Sequence, residues 1–137
     1  MRTCVRVQYC RGMTLELRRR IFRHYADTGS PPELAREELE ALAVQRAIVL
    51  DDDGCIAFAN PFATGPAAFT VATGDRTYFA VCPWDALGIL ALLGADGRVT
   101  DADGLFLEVR DGQLAATNVL VHFLVPAARW YEDIQFT

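Results

Sequence analysis

A cysteine and an aspartate three residues apart, Cys82 and Asp85, lie within Tyr78-Phe79-Ala80-Val81-Cys82-Pro83-Trp84-Asp85-Ala86-Leu87-Gly88-Ile89. The run before the cysteine reads as a strand and the run after it as a helix. Pro83 suits the first helical position, where a missing N–H costs nothing and its fixed φ matches the helix. Cys82 then falls at the N-cap and Asp85 near the third helical position, whose side chains meet in a capping box. The pair offers a soft nucleophile or metal ligand beside a proton carrier. The unpaired N–H groups and dipole of the helix start are expected to lower the thiol pKa. The same pattern also describes a small buried cysteine beside an ordinary helix-start carboxylate. Spacing alone leaves both readings open.

The elements that must position this pair can be traced along the chain. Residues 1–13 have β character at Val5, Val7 and Tyr9. From Thr14, Leu15, Leu17, Ile21, Phe22 and Tyr25 recur at helical spacing until Asp27-Thr28-Gly29-Ser30. Ser30 is expected to cap a second helix, with Pro31 and Pro32 in its first turn, Glu33 at its third position, and Leu34, Leu39, Leu42 and Ala43 on its apolar face. Ala47-Ile48-Val49-Leu50, Asp51-Asp52-Asp53-Gly54 and Cys55-Ile56-Ala57-Phe58 read as strand, turn and strand. The acidic turn lacks the spacing and final Glu of an EF-hand loop, so a hairpin turn is expected there. Helix, helix and hairpin together describe a winged-helix-like module over residues 1–59.

Asn60-Pro61-Phe62 to Gly65-Pro66 reads as an irregular linker into a second unit, residues 60–137. Strands are expected at 69–71 and 77–81 around Gly74-Asp75, then a buried helix over 83–93. A meander follows at 97–100, 105–110 and 114–116, with turns at Asp103-Gly104 and Asp111-Gly112. Val119 to Val125 reads as an apolar strand ending at Pro126, and Trp130, Tyr131 and Ile134 as an aromatic turn. The class is α+β: a winged-helix-like N-terminal module, then a mixed or antiparallel sheet packed on a central helix.

Composition narrows the function. The chain has 137 residues, is 52% hydrophobic and carries a formal net charge of −5. All 13 basic residues are arginines. An acidic chain argues against general nucleic-acid binding, and Arg18, Arg19, Arg20 and Arg23 read as a solvated helix face, as does His24. The cysteines, Cys4, Cys10, Cys55 and Cys82, form no CxxC pair or zinc-ribbon spacing. Cys4 and Cys10, on an expected strand or loop, have a separation open to a disulfide or a soft metal. The N-terminus lacks a secretory apolar core, and the longest apolar run, Ala86 to Leu93, is too short to span a bilayer. A cytoplasmic, reduced-thiol protein is expected, with no membrane partner and no assigned oligomeric state.

Arg76-Thr77-Tyr78-Phe79-Ala80-Val81-Cys82-Pro83-Trp84-Asp85-Ala86-Leu87 resembles the active-site segment of the alkylmercury (organomercurial) lyase family, where an aromatic strand leads into Cys-x-x-Asp-x-Leu and an apolar helix. Asn60-Pro61-Phe62 resembles that family's segment joining a winged-helix part to a catalytic part. Val121-His122-Phe123-Leu124-Val125-Pro126-Ala127 with Trp130-Tyr131-Glu132-Asp133-Ile134-Gln135-Phe136-Thr137 resembles the C-terminal block of its bacterial lyase-like branch. The resemblance spans residues 14–137.

It implies that two cysteine thiolates take up the mercury of an organomercurial and that an aspartate helps protonate the departing carbon. Thiolates are soft enough for mercury, and the carbon needs a positioned acid. Cys82 matches the first cysteine and Asp85 the aspartate. The second cysteine falls close to Asn118, whose amide cannot replace a thiolate. Related sequences also carry a longer, cysteine-containing insert where this chain has Val99 to Leu105, and they continue past the Phe-Thr block. The implied site is Cys82 as nucleophile and mercury ligand and Asp85 as proton carrier, with Asn118 and His122 at the small-molecule pocket. Tyr78, Phe79 and Trp84 either line it or, as aromatic residues do by default, pack in the core. His122 matches a His of the family strand and could shuttle protons, but its apolar neighbours put a hydrogen-bonded structural histidine first. No resident cofactor is implied; mercury is substrate or product, and an external thiol, Cys4, Cys10 or Cys55 would complete its ligation.

Three functions stay open on the residues: a carbon–mercury lyase or mercury-binding relative, an enzyme of the same scaffold using Asp85 on a small organic metabolite, and a non-catalytic ligand-binding or regulatory member.

Overall fold

The computed structural model describes residues 4–115, 118–120 and 122–132, with residues 4–13 followed by backbone alone. Three helices, α1 (Cys4–Thr28), α2 (Arg36–Val44) and α3 (Pro83–Leu93), pack with eight strands. The strands are β1 (Val49–Leu50), β2 (Ile56–Ala59), β3 (Phe62–Ala63), β4 (Phe69–Ala72), β5 (Thr77–Ala80), β6 (Gly97–Asp101), β7 (Phe106–Arg110) and β8 (Gln113–Leu114). They form one sheet in the order β1-β2-β3-β5-β4-β6-β7-β8, and every pairing is antiparallel. The α+β class expected from the sequence is the one found.

Register builds the core beneath α3. Tyr78 pairs with Val71, Val71 with Val99 and Val99 with Leu107, so one row crosses four strands. All four side chains are buried, with Ile89 and Leu90 of α3 in the same cluster. Alternation sends Phe79, Thr70, Thr100 and Phe106 to the opposite face, and Phe106 is 58% exposed there.

The other half of the core is aromatic. Phe62 stacks on Tyr25 of α1 with ring centroids 5.0 Å apart and tilts against Tyr78 at 5.8 Å. Tyr25, fully buried, shares a 2.6 Å hydrogen bond with the Thr64 hydroxyl. Burial pushes its phenol pKa up, and that hydrogen bond partly offsets the rise. The end of α1 is tied to β5: Tyr78 Oη donates to the Ala26 carbonyl at 2.8 Å, and Arg76 donates to the carbonyls of Ala26 and Asp27. These bonds satisfy carbonyls that a helix end otherwise leaves open.

Five sequence expectations change. Residues 4–13 are helix, not strand or loop, because α1 runs unbroken from Cys4. Helical rise sets Cys4 and Cys10 about 9 Å apart along the axis, beyond the reach of a disulfide. The second helix starts at Arg36, with Ala35 rather than Ser30 at its N-cap. Pro31 and Pro32 each bias the preceding residue away from helix, and the Glu38 carboxylate accepts the Ala35 N–H at 2.9 Å. The expected linker instead supplies β3, which pairs with β2 and β5 and joins the chain on either side of residue 60 into one sheet. No strand forms among the described residues of 118–126; Leu120 is 93% exposed and Leu124 62%. That run has no ladder partner in the sheet order, so β propensity finds nothing to pair with. Val121, Ile134 and the rest of 133–137 lie outside the described residues.

The arginine cluster on α1 is engaged locally, as a solvated face should be. Arg18 lies over the Phe22 ring, Arg19 faces Glu16, and Arg20 donates to the Glu33 carbonyl. His24 sits with Thr28 and Ser30 at the end of the same helix, its Nδ1 2.9 Å from the Ser30 carbonyl oxygen. No described helix is long and apolar enough to cross a membrane.

Candidate functional site

Strand β5 ends at Ala80 and the chain turns directly into α3, so Cys82 occupies the joint. Its extended backbone (φ −141°, ψ 162°) is that of an N-cap, with Pro83 in the first turn. The Asp85 N–H donates to Cys82 Sγ at 3.3 Å, and the Ala86 N–H donates to the Cys82 carbonyl oxygen at 3.0 Å. The Trp84 N–H also faces the sulfur. At the other end, Gly94 takes the left-handed conformation (φ 59°) that closes a helix without a Cβ penalty. Apolar spacing along Ala86, Ile89 and Leu90 holds the helix to the sheet, leaving its first turn at the rim.

The negative charge of the Asp85 carboxylate opposes ionisation of the neighbouring thiol. Both groups are half-buried, and burial raises both pKa values. For the thiol, the Asp85 backbone N–H offsets part of the rise, while the carboxylate's charge and hydrogen bond add to it. For Asp85, the bond from the thiol offsets part of the effect of burial. The sequence expectation of a lowered thiol pKa is therefore reversed. Two N–H groups favour thiolate, but desolvation and an adjacent negative charge outweigh them. The pair stores a proton: a soft electrophile that captures the sulfur releases it beside a carboxylate able to take it up.

The remaining expected residues separate. Trp84 is 59% exposed at the second position of α3, and its indole meets the Phe123 ring edge-on at 6.3 Å. Tyr78 points into the core and bonds α1, so it does not line a pocket beside Cys82. Phe79, on the opposite sheet face from Tyr78, is half-buried. Asn118 and His122 are both exposed, and His122 lies on the non-strand segment. Cys55 is exposed in the β1–β2 hairpin, where Asp51 Oδ1 accepts the N–H groups of Asp53 and Cys55. The acidic run is thus a hydrogen-bonded turn, as expected, and no metal-holding group of His, Cys, Asp and Glu occurs among the described residues.

One residue near the site, Phe123, had no local signal for its placement. Phe123 sits between Trp84 and Trp130, 5.2 Å from the latter, and Trp130 Nε1 donates to the Val125 carbonyl at 3.0 Å. This contact joins side chains about forty positions apart, which no periodicity encodes. Trp130 does anchor the C-terminal turn, a 3-10 segment over Ala127–Glu132.

Architecture and chain order define an organomercurial-lyase-like α+β fold. The chain is similar to the crystal structure of the mercury-bound form of MerB2, with a TM-score of 0.59 and 24% sequence identity, over 77% of this chain and 59% of that one. It thus spans a little under two thirds of that neighbour's length. No protein-family model matches the chain, and no curated protein matches it.

Proposed function

We propose that the protein takes up organomercurials at Cys82 and cleaves the carbon–mercury bond, with Asp85 as proton carrier. The observation that carries this reading is the Cys82–Asp85 pair at the start of α3: the Asp85 N–H donates to the Cys82 sulfur at 3.3 Å, and burial holds both thiol and carboxyl protonated longer than usual. A fold similar to a mercury-bound protein supports it. In the first step, sulfur bonds to mercury, the substrate's leaving ligand departs, and the thiol proton passes to the Asp85 carboxylate. A small external thiol, arriving as thiolate with its proton left in solvent, supplies the second sulfur, since Asn118 offers only an amide where the resemblance places a cysteine. Asp85 then returns its proton to carbon, the carbon–mercury bond breaks, hydrocarbon leaves, and Hg(II) stays between Cys82 and the external thiol. Mercury is substrate here, and reduced thiols must be abundant, as in a cytoplasm.

A second reading rests on the Asp85 carboxyl alone. Its raised pKa suits a general acid or base acting on a small organic metabolite, with Cys82 dispensable. A DNA-binding role is disfavoured by α2, whose Arg36 is outnumbered by Glu37, Glu38 and Glu40.

The test is phenylmercuric acetate turnover with excess thiol, following benzene release. Wild type should yield benzene, while Cys82→Ser and Asp85→Asn should not. No benzene from folded wild type sinks the lyase reading. Turnover of an organic metabolite that survives Cys82→Ser and fails in Asp85→Asn would install the second.

A further inference from the structure

The first turn of α3 presents an organised aromatic surface beside the thiol. Trp84, two residues after Cys82, carries the indole that Phe123 meets edge-on. Phe123 in turn tilts against Trp130, and Trp130 is pinned by its indole N–H to the Val125 carbonyl. Among the described residues the segment carrying Phe123 pairs with no strand, so this ring contact to Trp84 is a tertiary attachment to the first turn of α3. Trp84 is 59% and Phe123 40% exposed. Rings that merely completed the core would be covered, as Tyr25 and Phe62 are at 0% and 1%. These stay open, with faces and edges available to another planar group.

We propose that Trp84, Phe123 and Trp130 seat the organic group of the mercurial bound at Cys82, making the protein selective for aryl over small alkyl substituents. The inference rests on mercurial capture at Cys82. An aryl–mercury–thiolate places its ring at the end of a linear two-coordinate mercury, a few ångströms from the sulfur. An aromatic neighbour rewards a ring there by edge-to-face or offset contact and offers a methyl group much less. Capture balances without a further reagent: the sulfur–mercury bond replaces the bond to the departing ligand, and the thiol proton goes to Asp85.

The test uses the full chain with Cys4→Ser, Cys10→Ser and Cys55→Ser, leaving Cys82 as its single thiol, and with Asp85→Asn, so that bound mercurial is displaced and not cleaved. Phenylmercury and methylmercury are bound separately, and each is displaced by rising 2-mercaptoethanol, with occupancy read by intact-mass spectrometry. Phenylmercury should need about fivefold more competitor than methylmercury, after correction for exchange between small thiols in solution. Phe123→Ala should erase that difference by lowering phenylmercury retention more than methylmercury retention. Phe123→Leu, which keeps an apolar side chain without a ring, should erase most of it. Both tryptophans of the chain belong to this cluster, so intrinsic fluorescence reports its state in each variant. An equal ratio in wild type and Phe123→Ala overturns the aromatic seat while capture at Cys82 stands. If neither mercurial is retained better than by a small thiol, the proposed function falls and takes the seat with it.

Discussion

Cys82 and Asp85 share the first turn of α3, the aspartate's N–H donating to the sulfur at 3.3 Å while the negative charge of its carboxylate raises the thiol pKa. One residue therefore acts on the other in opposite senses: its backbone stabilises thiolate and its side chain opposes it. Burial adds to the opposition, and the resting state is a protonated thiol.

Replacing Asp85 with Asn should accordingly make Cys82 more reactive. The variant keeps the backbone donor but removes the negative charge that raises the thiol pKa. Alkylation of Cys82 by iodoacetamide at neutral pH, followed by mass spectrometry, should accelerate roughly threefold or more. An unchanged or slower rate would show that the carboxylate does not hold the thiol proton.

The same pair makes stability depend on pH. A carboxyl whose pKa is raised on folding binds its proton more tightly in the folded chain. Stability contributed there is present in acid and is lost as pH rises from the ordinary aspartate value through the raised one. The thiol acts in the same direction at alkaline pH, since its folded pKa is also raised. Urea midpoints measured across both windows should fall with rising pH in wild type. They should fall less across the acidic window in Asp85→Asn.

Tyr78 tests the distinction between core and site. Tyr78→Phe removes the bond to the Ala26 carbonyl and should cost about 1 kcal/mol of stability. Retention of phenylmercury at Cys82 should not change. A loss of retention at equal fold content would return Tyr78 to the site.

Gly97 tests the fit between α3 and the sheet. A Cβ there would lie 2.6 Å from the Ala72 carbonyl oxygen and 2.6 Å from Leu90 Cδ2. The leucine end can shift, but the strand carbonyl is backbone. Gly97→Ala should destabilise by about 1–3 kcal/mol, read as a lowered urea midpoint with unchanged m-value. No loss would mean that the β4–β6 pair is looser than its register implies.

The helix over Pro83–Leu93, its N-cap and the hairpins were legible because local rules specify them. Pro83 marks the first turn and Gly94 the end, and Asp51-Asp52-Asp53-Gly54 closes a turn with its own side chain. The second helix was read five residues early because Ser30 and Glu33 mimic a capping box. The two prolines and a competing cap from Glu38 move the start to Arg36. Apolar composition points to a strand over 119–125, but a strand exists only where a neighbour offers its ladder, and none forms among the described residues of that run.

What the sequence by itself determined is the local geometry of the pair: a cysteine at an N-cap and a carboxylate three residues on, an arrangement written into one proline and the apolar spacing behind it. Only the tertiary structure decided the protonation of that pair, because burial depends on how α3 meets the sheet and outweighs the N–H groups of its own turn. It also decided the neighbours. Tyr78 went to the core and Phe79 to the opposite sheet face, while Phe123 arrived from some forty residues away. Long-range contacts follow from packing the whole chain at once, and no local pattern carries them.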